Sequence, residues 1–226
     1  MRDSANNPLV ARLYDPVMTL PEQTVLRPHR ENLVSGLEGT VLDLGAGTGA
    51  LFPYFDRIET DHLQVTAVEP DPHMRTRAQK RATEVDVDID IVDAVGENLP
   101  FETGYFDAVC VSFVFCTIPD QEQALAEVSR VLRGGGTFRF LEHVRSDGLA
   151  GRGQDLLAPC WHAIEGGCHL NRQTDALFLG DERFQTLEFE RSEGLLSKAL
   201  PVVRGRLKRR KRPVLSRIVS SVGSFR

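Results

Sequence analysis

Short blocks of apolar residues alternate along this chain with stretches whose apolar positions recur at helical spacing. Val25, Leu26, Leu33, Val34 and Leu37 mark a helix over 21–37, with Pro21 near its start and Gly36 near its end. Thr40 to Leu44 reads as a first strand, and a helix is expected after Gly49. Gln64 to Val68 is a second strand, followed by a helix over 72–83 that Asp71 caps and Pro72 opens. Val87 to Val92 and Phe106 to Phe113 are the third and fourth strands. Asp120 then caps a helix that buries Ala124, Leu125, Val128, Val131 and Leu132. Gly134 to Gly136 ends that helix, and Thr137 to Val144 is the fifth strand. Residues 184–190 and 195–203 read as a closing antiparallel pair. The alternation predicts an α/β fold: a doubly wound, mostly parallel seven-stranded sheet with a C-terminal antiparallel hairpin. The expected units are a helical cap over 1–39, the main domain over 40–203 and a tail over 204–226.

A chain of 226 residues, 41% of them hydrophobic, suits one domain with a full core. Met1 to Pro8 is polar and no apolar run is long enough to span a bilayer, so a cytoplasmic protein is expected. Cys110, Cys116, Cys160 and Cys168 form no CxxC pair. The expectation is buried free thiols, with no disulfide framework and no metal site. Charge is unevenly spread. Residues 204–226 hold nine Lys or Arg and no acid, leaving 18 basic and 32 acidic residues before them, a balance of −14. Such a body repels phosphate, which argues against nucleic acid as a partner. It also holds few lysines, a composition compatible with a high-salt cytoplasm. Basic residues beside Val214, Leu215, Ile218, Val219, Val222 and Phe225 suggest peripheral membrane contact through 204–226; the alternative is a solvated tail.

The first strand ends in Asp43-Leu-Gly45-Ala46-Gly47-Thr48-Gly49, and Glu69 stands at the tip of the second. Glycines let the backbone turn tightly and approach a ligand, and a carboxylate at that position can accept two ribose hydroxyls. A nicotinamide-binding domain shows the same pair of features. No Tyr-x-x-x-Lys pattern appears after the fourth strand to support that class.

The ordered set is more specific: the glycine loop, Val68-Glu69-Pro70-Asp71, Gly96-Glu-Asn-Leu-Pro-Phe101, Phe106-Asp-Ala-Val109 and Val131-Leu-Arg-Gly-Gly-Gly136. Over about 100 residues it resembles the class I S-adenosylmethionine-dependent methyltransferases of type 11. The resemblance implies S-adenosylmethionine as cofactor, with Gly45, Ala46, Gly47 and Thr48 along its methionine part between Asp43 and Gly49. It places Glu69 on the ribose with Pro70 after it, Val95 and Gly96 beside the adenine, and Ser112 under the cofactor. Val95 departs from the family's usual Asp, which leaves the adenine amino group to backbone or to Glu97.

Further on, Phe140-Leu-Glu-His-Val144, Pro159-Cys-Trp-His162 and Gly167-Cys-His-Leu-Asn-Arg172 are similar to a subgroup of alkyl-thiol S-methyltransferases and phospholipid or quinone methyltransferases. Cys116-Thr-Ile118 agrees with it. The implied acceptor is a small or lipid-like molecule: an alkyl thiol, or alternatively a quinone or phospholipid. A non-catalytic S-adenosylmethionine-binding protein is the alternative of another class. A thiol must become a thiolate, and His143 is the candidate catalytic base; its alternative role is to hydrogen-bond a loop. His162 and His169 are weaker candidates. Trp161 either walls the acceptor site or packs, Arg172 either binds an anion or pairs internally, and Tyr14-Asp15 either closes over the site or packs a loop. Cys116 and Cys168 read as small apolar filling.

Overall fold

The computed structural model describes residues 26–60, 62–164, 167–192 and 201–211, without the side chains of residues 163 and 164. In order the elements are α1 (Arg27–Val34), β1 (Gly39–Leu44), α2 (Phe52–Phe55), β2 (Leu63–Val68), α3 (Pro72–Ala82), β3 (Ile89–Val92) and β4 (Phe106–Ser112). After them come α4 (Gln121–Val131), β5 (Leu132–His143), α5 (Gly148–Ile164), α6 (Thr174–Gly180), β6 (Phe184–Arg191) and β7 (Val202–Arg209). The seven strands lie in the order β3-β2-β1-β4-β5-β7-β6. The first five run parallel, and β7 enters antiparallel between β5 and β6. The doubly wound sheet with a closing antiparallel pair is thus present.

The strands are buried on both faces, as crossover helices require. On β4, Val109 and Val111 join one cluster with Leu42, Leu44, Leu125, Val128, Phe138, Phe140 and Phe178. Ala108 and Cys110, the alternate positions, join the other with Leu33, Val34, Phe52, Phe55 and Ala78. Strand periodicity alone makes that division. Helix starts follow their caps: Asp71 accepts the N–H groups of His73 and Met74, and Asp120 accepts that of Gln123. At the other end of α1, Arg139 of β5 donates to the carbonyls of Leu33 (3.1 Å) and Ser35 (2.6 Å). It satisfies acceptors the helix cannot, and a cation suits that end of the helix dipole.

Two boundaries differ from the sequence reading. The glycines at 134–136 do not end α4: the helix stops at Val131, the chain is already extended at Leu132, and β5 takes the glycines in. A Cβ on Gly136 would meet the Asp107 carbonyl at 2.8 Å, which explains the residue and the irregular register opposite Phe106 and Ala108. The larger correction concerns 204–226. Residues 204–209 are not a tail but most of β7, between two other strands. Their charge is largely engaged: Arg204 pairs with Glu190, Arg206 donates to Ser35 Oγ (2.7 Å), and Arg209 donates to the Leu132 carbonyl. The last described strand lies at 202–209, where 195–203 was expected; residues 195–200 of that expectation lie outside the described residues. The helix expected over 21–37 is described from 27, and the segment after Gly49 yields only four helical residues. The amphipathic reading of 213–225, Tyr14-Asp15 and the rest of the cap before residue 26 lie outside the described residues. Among the described residues no helix is long and apolar enough to cross a membrane.

Gly205 crosses β7 where a Cβ would stand 2.5 Å from the Phe140 ring and 2.7 Å from the Glu188 carbonyl. Gly205→Val is expected to destabilise the fold by roughly 1–3 kcal/mol in denaturant titrations. Ending the chain at residue 203 should abolish the cooperative transition, because it leaves β5 and β6 without their shared partner. A truncated protein with an unchanged midpoint would show that β7 is dispensable.

Candidate active site

The site occupies the carboxyl ends of β1, β2, β4 and β5, where a doubly wound sheet leaves a crevice. Gly45, Gly47 and Gly49 all have positive φ, at 72°, 58° and 81°. They are glycine for different reasons. A Cβ on Gly45 would strike Val114 and one on Gly49 would strike Phe52, whereas nothing lies within 4 Å of where a Gly47 Cβ would be. Glu69 is buried at the end of β2. Its Oε2 accepts the Gly47 N–H (2.8 Å) and its Oε1 accepts the Asp71 N–H (2.8 Å). One carboxylate therefore fixes both the glycine loop and the start of α3, and each oxygen keeps a second lone pair. Burial raises its pKa, and those two backbone hydrogen bonds work against the rise. The carbonyls of Glu69 and Pro70 both accept from Arg75.

Asp43 is fully enclosed, and its Oδ2 has no hydrogen-bond partner among the described residues. Burial, opposed by Arg30 and aided by Glu69, raises its pKa to about 7. Ser112 Oγ is likewise buried and unpartnered. Ala46 and Thr48 are buried in the loop, with Arg81 donating to Thr48 Oγ1 (3.4 Å). Val95 pairs with Asn98 across a tight turn around Gly96. Glu97 is turned towards α4, its Oε1 accepting the Asp120 N–H (3.4 Å). The following Leu99 to Phe101 segment is clamped by α4: Glu127 accepts the Leu99 N–H, and Arg130 donates to the carbonyls of Leu99 and Phe101.

The ends of β4 and β5 form a second group. Glu142 is completely buried, and its Oε1 accepts the N–H groups of Val114 (2.8 Å) and Phe115 (3.0 Å). This pins the turn after β4. Phe113, at its start, is the one non-glycine among the described residues with positive φ, at 58°. Its ring stacks on His143 with centroids 6.3 Å apart. A bulky residue in that conformation is costly and persists only where its surroundings hold it.

His143 ends β5, as expected, but it does not stand alone. Its Nε2 lies 3.2 Å from Cys168 Sγ, and Cys116, His143 and Cys168 place one ligand-type atom each within 4.8 Å of one another. The Cys116 hydrogen bond, opposed by burial and aided by His143, pulls the Cys168 thiol down to about 4, while Cys116 moves well above the ordinary range. Burial pushes His143 down, but the Cys168 contact and the nearby negative charge outweigh it and raise its pKa. An imidazole so paired holds its proton more readily than a free one. Burial raises Glu142 to about 7 against its two backbone hydrogen bonds.

The remaining candidates fall around this group. Trp161, on α5, is half exposed and donates towards Cys168. His162 and His169 lie ring to ring at 4.6 Å. Arg172 donates to the carbonyls of Phe115 and Ile118, both at 2.5 Å, so it ties the turn after β4 by neither of the two expected routes. Cys116 and Cys168 are buried, as read, but brought together; Cys160 is exposed. Phe113 and Glu142 carried no separate sequence signal, because their roles depend on a backbone turn between distant segments.

Comparison with known proteins identifies the family. The model of the family described as "Methyltransferase domain" matches residues 42–140. Sarcosine/dimethylglycine N-methyltransferase of Halorhodospira halochloris is 31% identical over 197 residues, 87% of this chain and 69% of that protein. The chain belongs to the S-adenosylmethionine-dependent methyltransferase family. Human thiol S-methyltransferase TMT1A is 34% identical over 143 residues, 60% of this chain, and the match spans only 56% of that relative's length. A solved structure, a putative sarcosine dimethylglycine methyltransferase from Galdieria sulphuraria, superposes with a TM-score of 0.69 at 14% identity, covering 89% of this chain and 98% of that one. That last likeness concerns the fold.

The family cofactor is S-adenosylmethionine, and the residues present fit it. The buried, unpartnered Asp43 Oδ2 and Ser112 Oγ, the open side of Gly47 and the free lone pairs of Glu69 all belong to the carboxyl ends of the adjacent strands β1, β2 and β4 and the loop after β1. Glu69→Ala is expected to weaken calorimetric binding of S-adenosylhomocysteine at least tenfold, about 1.4 kcal/mol. An unchanged affinity would contradict its assignment to the site. Asp43 supplies a pH test. Its raised folded pKa means the folded state holds an extra proton between about pH 4 and about 7, so stability falls as pH rises through that window. In the cofactor-free protein Asp43→Asn should therefore melt higher than wild type above pH 7, the gap closing towards pH 4. A gap that widens towards acid would reverse the assignment.

Proposed function

We propose that the protein is an S-adenosylmethionine-dependent methyltransferase whose acceptor is a thiol. The observation that carries the reading is the group of Cys116, His143 and Cys168 at the ends of β4 and β5, beside the cofactor crevice and below Trp161. Such surroundings are soft and polarisable, matched to sulfur more than to an amine or a carbon acid. The similarity to thiol S-methyltransferase TMT1A supports the same choice.

Bound S-adenosylmethionine supplies a methyl group on a sulfonium, and the protein's task is alignment and exclusion of water. Phe113, held in its unusual conformation between Ser112 and the turn after β4, packs against the core and stacks on His143, so it fixes that ring at the end of β5. Glu142 and Arg172 fix that turn from both sides, so Cys116 and the neighbouring backbone keep their positions. The exposed apolar residues Leu149, Leu156 and Leu157 on α5 suit an acceptor with hydrocarbon character.

A labelled-methyl assay decides the acceptor class. Transfer to alkyl thiols is expected to exceed transfer to sarcosine, phosphatidylethanolamine and demethylated quinols. Methylation of a quinol with none of any thiol would reject the reading. Binding of S-adenosylhomocysteine with no transfer to any of the four would favour a non-catalytic binding protein.

A further inference from the structure

The three donors at the acceptor end come from separately fixed pieces of chain. Cys116 lies in the turn held by Glu142 and Arg172, and His143 closes β5. Cys168 follows α5, with the next residue's N–H donated to the Cys116 carbonyl (3.0 Å). None is gathered by a free loop. Two sulfurs and one imidazole are a donor set that zinc prefers. Zinc bonds of about 2.3 Å to sulfur and about 2.0 Å to nitrogen place tetrahedral ligand atoms roughly 3.5–3.8 Å apart. The 3.2 Å between His143 Nε2 and Cys168 Sγ and the 4.8 Å limit on the whole group bracket that spacing. With Nε2 on the metal, Nδ1 carries the proton.

Charge argues the same way. Two cysteines capable of ionising and the enclosed Glu142 carboxylate are faced by the His143 imidazole and, through its charge, the Arg172 guanidinium, and Glu142 Oε2 is buried with no partner among the described residues. No ion pair to Glu142 is present there either. Arg172 Nη1 is occupied by two backbone carbonyls. A further thiolate, the form in which an acceptor sulfur reacts, would enter this group against like charge. A divalent cation removes that obstacle.

We propose that Cys116, His143 and Cys168 hold a zinc ion whose open fourth position takes the acceptor's sulfur. The role of that fourth position rests on the thiol reading; the three-residue site does not. On coordination the acceptor thiol loses its proton to solvent, leaving a zinc-bound thiolate. A sulfur lone pair then forms the bond to the methyl carbon as the bond from that carbon to the sulfonium sulfur breaks, its electron pair staying on that sulfur. The products are two neutral thioethers. The methylated acceptor, now a weak ligand, leaves the metal.

The whole protein, purified under reducing conditions and stripped with a chelator, is titrated with Zn²⁺ and separately with Co²⁺. One metal per chain is expected, with a sulfur-to-cobalt charge-transfer band that shifts when 2-mercaptoethanol is added. Cys116→Ser and Cys168→Ser should each lower metal affinity by roughly 10–100-fold or more, while Cys160→Ser leaves it unchanged. Circular dichroism establishes that the variants fold; His143→Gln replaces any serine variant that does not. The site is overturned by a wild type that binds no stoichiometric metal, by folded variants that bind as tightly, or by a Cys116–Cys168 disulfide in the reduced preparation. A cobalt band indifferent to the thiol overturns the fourth-position role. Unchanged thiol methylation by fully stripped protein overturns the fourth-position role and leaves the thiol reading intact, whereas a thiol-sensitive cobalt site with methyl transfer only to another acceptor overturns the thiol reading and leaves the metal site intact.

Discussion

The arrangement depends on buried carboxylates that bind backbone rather than side-chain cations. Glu142, at the end of β5, accepts two N–H groups from the turn after β4. Glu69, at the end of β2, accepts one from the glycine loop and one from the start of α3. In each case a strand end reaches across to fix the segment leaving another element. Such charge-assisted hydrogen bonds are stronger than neutral ones and satisfy donors that would otherwise be orphaned. The two halves of the site thus use one device, with Phe113 and Ser112 between them.

This device has an electrostatic consequence. Enclosing Asp43, Glu69 and Glu142 around one crevice raises the pKa of all three, with burial the largest cause in each. Backbone N–H groups offset part of the cost for Glu69 and Glu142 but not for Asp43. Three acidic groups at the carboxyl ends of β1, β2 and β5 bias that edge of the sheet towards cations, which suits a sulfonium ligand and the proposed metal ion.

The sheet was legible in the sequence because both faces of its strands are buried, so apolar blocks mark them regardless of partners. The cofactor half was legible for a related reason: Gly45, Gly47, Gly49 and Glu69 lie within one crossover unit, where spacing carries geometry. The C-terminal part was not. Arg204, Arg206 and Arg209 read as part of a basic tail, membrane-docking or solvated, since nothing local reveals that β7 slots between β5 and β6 and engages those charges with Glu190, Ser35 and Leu132. Cys116, His143 and Cys168 are also far apart in the chain, without the short spacing that betrays a metal or thiol pair. His143 alone was singled out as a catalytic candidate, and its contact with Cys168 left no trace in the spacing.

The central claim is that the molecule divides into a cofactor half and a sulfur-handling acceptor half that meet at Phe113. The most direct measurement takes Cys168→Ala through two readouts, S-adenosylhomocysteine affinity by calorimetry and labelled-methyl transfer to an alkyl thiol. Unchanged affinity with transfer reduced by roughly 10–100-fold is expected. Affinity and transfer falling together, or transfer surviving intact, would contradict it.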